Sequence, residues 1–162
     1  MNLIRRPLRV SLYADGGLLL LTGIAWTLLH YRPQWLGQSA RDAVALNAML
    51  MRVHGAAAMY ALALLGALLV GHVQSGWRAA RNKWSGIAAL ALAGTLVLTG
   101  YALYYAGAED VRDGASLLHT AAGAALPVVI VAHALRLLRS RHRHAALARA
   151  LHRRRRAPAS AG

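Results

Sequence analysis

Apolar residues gather along the chain into four long runs, separated by short stretches that carry most of its charge. A helix needs about 20 consecutive apolar residues to cross the hydrocarbon core of a bilayer. Trp84 to Ala108 and Gly114 to Leu135 meet that length with no Asp, Glu, Lys or Arg in either. The pattern predicts helices over about Val10 to Tyr31, Met49 to Gly76, Asn82 to Ala106 and Asp113 to Leu138. Short connections make sequential helices antiparallel neighbours. The expected fold class is therefore all-α, an integral membrane four-helix up-down bundle. A membrane domain would cover residues 1–138, followed by a basic, partly disordered tail over 139–162.

Local signals agree with these elements. Ser39-x-x-Asp42 precedes an apolar run, and Asp110 with Asp113 places negative charge at a helix N-terminus. Arg5, Arg6 and Arg9 ahead of an apolar stretch resemble a signal peptide, but no small-residue cleavage site follows, so the segment reads as a first span. Fifteen of the 19 Lys and Arg fall at the N-terminus, in the second loop (Arg78, Arg81, Lys83) and in the tail. The remaining four, Arg32, Arg41, Arg52 and Arg112, share their side with Asp42, Glu109, Asp110 and Asp113. The positive-inside rule then puts both termini in the cytoplasm of a bacterial cell, the protein being multi-pass in its inner membrane.

Composition narrows the chemistry. The 162 residues include no cysteine, which excludes disulfides, thiolate-bound metal clusters and covalently attached c-type haem. A net charge of +14 invites a nucleic-acid reading through counterion release. The basic residues instead flank apolar spans or lie in the tail from Arg136 to Arg156, the distribution of a membrane protein, and nucleic acid is not an expected partner.

Four of the eight histidines, His54, His72, His119 and His133, lie within or beside the second and fourth runs, where a polar group must find a partner. His54 and His72 are 18 residues apart, which returns them to one helix face about 27 Å apart. His119 and His133 are 14 apart, differing by about 40° in direction and about 21 Å in height. Under the derived orientation these helices run the same way, so His54 is expected opposite His119 near the outer surface, and His72 opposite His133 near the inner one. Two facing imidazoles suit bis-axial ligation of haem iron. Zinc, which takes three or four protein ligands, would find only His30 as a third at matched depth. With no cysteine, two noncovalent b-type haems are the expected cofactors.

A flat macrocycle needs space, and Gly86 and Gly100, 14 residues apart in the third run, match the two depths, with Gly16 and Gly17 adding room on the inner side. The 18- and 14-residue spacings differ by about 6 Å of rise, which two straight helices cannot match. Relative tilt, tilted haems or a bend at Pro127, which removes a backbone donor, would absorb the difference.

At Arg52-x-His54-Gly55, His72 followed by Trp77, Asn82-Lys83-Trp84-Ser85-Gly86, Leu98-Thr99-Gly100-Tyr101, His119 with Gly123, and His133, the chain resembles the small bacterial cytochrome b561-type four-helix proteins. It is similar, more distantly, to the cytochrome b subunits of quinone-linked dehydrogenases and hydrogenases. The resemblance spans about Val10 to Leu138. It implies two stacked b haems carrying electrons across the membrane between a quinone and a redox partner protein. Some relatives draw a ligand from the first helix, whereas the first helix here holds only His30.

Other residues are read more plainly. Arg52, Arg112, Arg78, Arg81 and Lys83 could bind haem propionates by charge-assisted hydrogen bonds, besides signalling orientation. Asp15 could relay protons to a reducible substrate or pair with an arginine. Trp35, Trp77, Trp84, Tyr101, Tyr104 and Tyr105 fit an aromatic belt, and Met49, Met51 and Met59 fit packing. Arg153 to Arg156 would contact anionic lipid or a partner, and a second copy of the chain is a further candidate partner. The competing readings are a haem-free transporter or metal-handling protein built on His30, His54 and His119, and a structural subunit whose polar residues join helices.

Overall fold

The computed structural model describes residues 6–32, 34, 40–74 and 83–156, with the backbone alone at 40, 41, 83, 137, 138 and 140–156. The described chain is helical, with four helices long and apolar enough to cross a membrane. They are α1 (Arg6–Tyr31), α2 (Ala40–Leu68, continued by a wide π turn over Leu69–Val73), α3 (Lys83–Tyr105) and α4 (Glu109–Arg156). Ser39, Trp35, Trp77, Arg78 and Arg81 lie outside the described residues.

Three helices, α1, α2 and α4, start earlier, and α4 ends later, than hydropathy suggests. α2 begins at Ala40 with Asp42 in its first turn, where an acid opposes the positive end of the helix dipole. α1 begins at Arg6 and tolerates Pro7 because the first turn has no intrahelical N–H bond to lose. α4 runs on from Leu138 to Arg156, so the tail is backbone helix that far, and only 157–162 lie beyond the described residues. Residues 139–156 contain no Gly or Pro and are mostly Arg, Ala, His and Leu, several of them strong helix formers. Hydropathy marks where a membrane would end, not where a helix must. Pro127 is accommodated inside α4.

The chain divides into two units, Met1–Arg81 and Asn82–Gly162. In the first, α1 packs on α2; in the second, α3 packs on α4. The buried positions of α1 are Asp15, Thr22 and Leu29, spaced by seven, a single stripe down the helix. Ala57 and Leu64 on α2 repeat that spacing and are buried too. Large apolar side chains elsewhere face outward, among them Leu21, Met59, Val70, Leu98, Leu117 and Val128. A water-soluble fold does not leave so many exposed, and hydrocarbon is the medium that suits them.

In the second unit the pairing is antiparallel, since Ser85 meets His133 while Thr99 meets His119. Numbers rise along one helix as they fall along the other. The three-residue link Ala106–Ala108 between Tyr105 and Glu109 makes this a tight hairpin.

Candidate functional site

Among the described residues the buried polar side chains are Asp15 (7% exposed), Thr22 (6%), Ser85 (7%) and Thr99 (8%). Three of these four are hydroxyls, and each holds one of the histidines singled out by spacing. In the first unit Thr22 Oγ1 lies 2.8 Å from His54 Nδ1. In the second, Ser85 Oγ lies 2.8 Å from His133 Nδ1, and Thr99 Oγ1 lies 2.9 Å from His119 Nδ1. A hydroxyl on one helix thus engages the same ring nitrogen of a histidine on the next, three times.

Each of these hydroxyl residues is followed by glycine, and the glycine is what lets the ring approach. A Cβ placed on Gly23 would lie 3.6 Å from His54 Cε1, one on Gly86 3.7 Å from His133 Cε1, and one on Gly100 3.5 Å from His119 Cε1. The imidazole edges rest against the bare backbone of the partner helix. At Gly86 and Gly100, where space for a macrocycle was expected, the nearest neighbour is the histidine ring. Around Gly16 and Gly17 nothing lies within 4 Å of an added Cβ, and Gly123 instead faces Leu96 at 3.8 Å.

The hydroxyl-glycine seats on α3 are 14 residues apart, as are the histidines they hold on α4, which separates the two seats by about 21 Å. The matched spacing keeps both rings on one face of the hairpin. His72 is placed differently. It lies in the wide turn Leu69–Val73 that closes α2, so regular helix geometry links it to His54 only as far as Leu68. Turns of this type add a residue to the helix and recur at functional positions.

The remaining candidates sort by exposure. Arg52 and His30 are exposed, with His30 stacked on Trp26 at 4.6 Å and edge-on to Tyr31 at 4.7 Å. Among the described residues no group of three or more His, Asp or Glu side chains gathers. Met49 and Met59 are exposed, as are Trp84, Tyr101, Tyr104 and Tyr105. Asp15 lies on the buried stripe of α1, seven residues before Thr22.

The hydroxyls were visible in the sequence without a role. Ser85-Gly86 and Thr99-Gly100 sit inside the motifs quoted above, and Thr22-Gly23 stands apart from them. The available signal was the repeated hydroxyl-glycine dipeptide; a fourth copy, Ser75-Gly76, lies outside the described residues. Asn47 was also missed: its Oδ1 is buried with no hydrogen-bond partner, seven residues before His54 and so on the same face of α2.

Comparison with protein-family models, with curated proteins and with solved structures returns no match.

Proposed function

We propose that this chain is a dihaem b-type membrane cytochrome that relays electrons across the bacterial inner membrane, between the quinone pool and a redox partner protein. The observation that carries the reading is the set of three imidazoles, each held at Nδ1 by a hydroxyl and seated on a glycine, in helices able to span a membrane. A histidine whose Nδ1 is engaged presents Nε2, the nitrogen a metal would take. The donor set fits haem b: imidazoles in an apolar setting, and no cysteine for covalent attachment.

Haem b, when bound, supplies a one-electron couple at its iron and a flat apolar ring. This chain's own residues would supply the rest. His54, His119, His72 and His133 would hold the haem iron, and the sequence spacing pairs the first with the second and the third with the fourth. Thr22, Ser85 and Thr99 orient three of those rings, while Gly86 and Gly100 keep the rings close to α3. Arg52, exposed on α2 two residues before His54, is the cation offered to propionate groups. Two imidazoles holding each iron would favour electron relay over oxygen binding. The charge distribution supports an up-down bundle with both termini in the cytoplasm.

The test is a dithionite-reduced minus oxidised spectrum of the purified protein, with pyridine-haemochrome quantitation. Two b-type haems per chain are expected, and His54→Leu, His72→Leu, His119→Leu and His133→Leu should each abolish or reduce one of them. Protein free of haem after expression with ample haem supply refutes the reading, and a stoichiometry of one removes one ligand pair.

A further inference from the structure

We infer that Thr22 and Thr99 are positioning residues that fix the tautomer of His54 and His119, leaving Nε2 bare and lowering the reduction potential of an iron bound there. This rests on the haem reading above. A threonine hydroxyl has one proton to donate and lone pairs with which to accept. Thr22 Oγ1 donates that proton to the Leu18 carbonyl at 2.7 Å, with the Leu19 carbonyl at 3.1 Å. Carbonyl oxygens carry no proton, so in this bond the hydroxyl is the donor. Toward His54 Nδ1, 2.8 Å away, the oxygen can then only accept, and the proton between them belongs to the ring.

Thr99 repeats the arrangement. It donates to the Thr95 carbonyl at 2.7 Å, with the Leu96 carbonyl at 3.3 Å, and meets His119 Nδ1 at 2.9 Å. A neutral imidazole has one N–H, so placing it on Nδ1 makes Nε2 a lone pair in both rings. An imidazolium, protonated on both nitrogens, would put an extra charge inside an apolar span. Because each threonine is β-branched and tied back to its own helix, its side chain has little freedom to turn away. The adjoining Gly23 and Gly100 complete the seat.

The chemical consequence follows from the donated hydrogen bond. A ligating imidazole that donates its other N–H becomes a more basic ligand, and a more basic ligand favours the oxidised metal. Removing the acceptor should therefore raise the potential. A tenfold change in the preference for the oxidised over the reduced metal corresponds to about 59 mV for one electron.

The experiment uses the purified full-length protein with its haem, and compares Thr22→Val and Thr99→Val with Thr22→Ser and Thr99→Ser. Redox titration should show one midpoint raised by about 59 mV in each valine variant, and restored in each serine variant, with haem content unchanged. Valine variants that keep the wild-type midpoint overturn the inference. If either valine variant fails to accumulate, 15N NMR of the imidazoles in the reduced wild-type protein decides instead. Protonated Nδ1 in His54 and His119 is expected, and protonated Nε2 in either overturns the assignment. Wild-type protein without haem would overturn the functional reading, and the same NMR measurement, made on that protein, would still decide the tautomers.

Discussion

Gly100 offers the sharpest test of how the histidine seats work. A Cβ at this position would lie 3.5 Å from His119 Cε1 and 3.9 Å from its Nδ1, an ordinary van der Waals distance. Gly100→Ala should therefore fit without moving the ring, and alanine's better helix propensity would add up to about 1 kcal/mol. Gly100→Leu is different, because its next carbon reaches about 1.5 Å further from the backbone. If directed toward the ring, that carbon would close the 3.5 Å gap to well below contact, so His119 must swing away and give up its 2.9 Å hydrogen bond to Thr99. Overpacking of this kind costs about 1–3 kcal/mol and the lost hydrogen bond about 0.5–1.5 kcal/mol. Together they would weaken cofactor retention by roughly tenfold to a thousandfold, at about 1.4 kcal/mol per factor of ten. The assay is haem per chain after purification through a stringent detergent wash, alongside thermal unfolding. Gly100→Ala should match wild type and Gly100→Leu should lose one haem. Full haem content and an unchanged midpoint potential in Gly100→Leu would refute the idea that this glycine seats a ligand.

Two further outcomes are expected. Asn47→Leu should raise thermal stability by about 1 kcal/mol, because it removes a buried acceptor that has no partner; a fall instead would mean that Oδ1 serves a bound group. A fluorescent protein fused after Gly162 should fold and fluoresce in the bacterial cytoplasm, whereas a periplasm-dependent phosphatase at the same point should be inactive; the reverse pattern would refute the orientation drawn from the basic residues.

Much of this was legible along the chain. Four spans could be read because hydrocarbon length and apolarity are one-dimensional properties, and the four helices fall where the apolar runs do. The helix ends were less legible. Ala40 and Arg156 lie well outside the apolar runs, since backbone hydrogen bonding continues wherever propensity allows it. The histidines of α4 and the glycines of α3 stood out through their shared spacing of 14, a number the antiparallel hairpin turns into two matched seats.

What sequence alone determined is the set of elements and the chemistry on offer: spans able to cross a membrane, histidines near their ends, and no thiol. Those follow from composition and helical period. What only tertiary structure decided is which atom meets which. Thr22 and His54 are 32 residues apart, and Ser85 and His133 are 48 apart, so no local pattern joins them. Nor could periodicity reveal that α2 widens over Leu69–Val73 and takes His72 off the regular helical count. A hydrogen bond depends on distances of tenths of an ångström between side chains of different helices, and such distances exist only once the helices have packed.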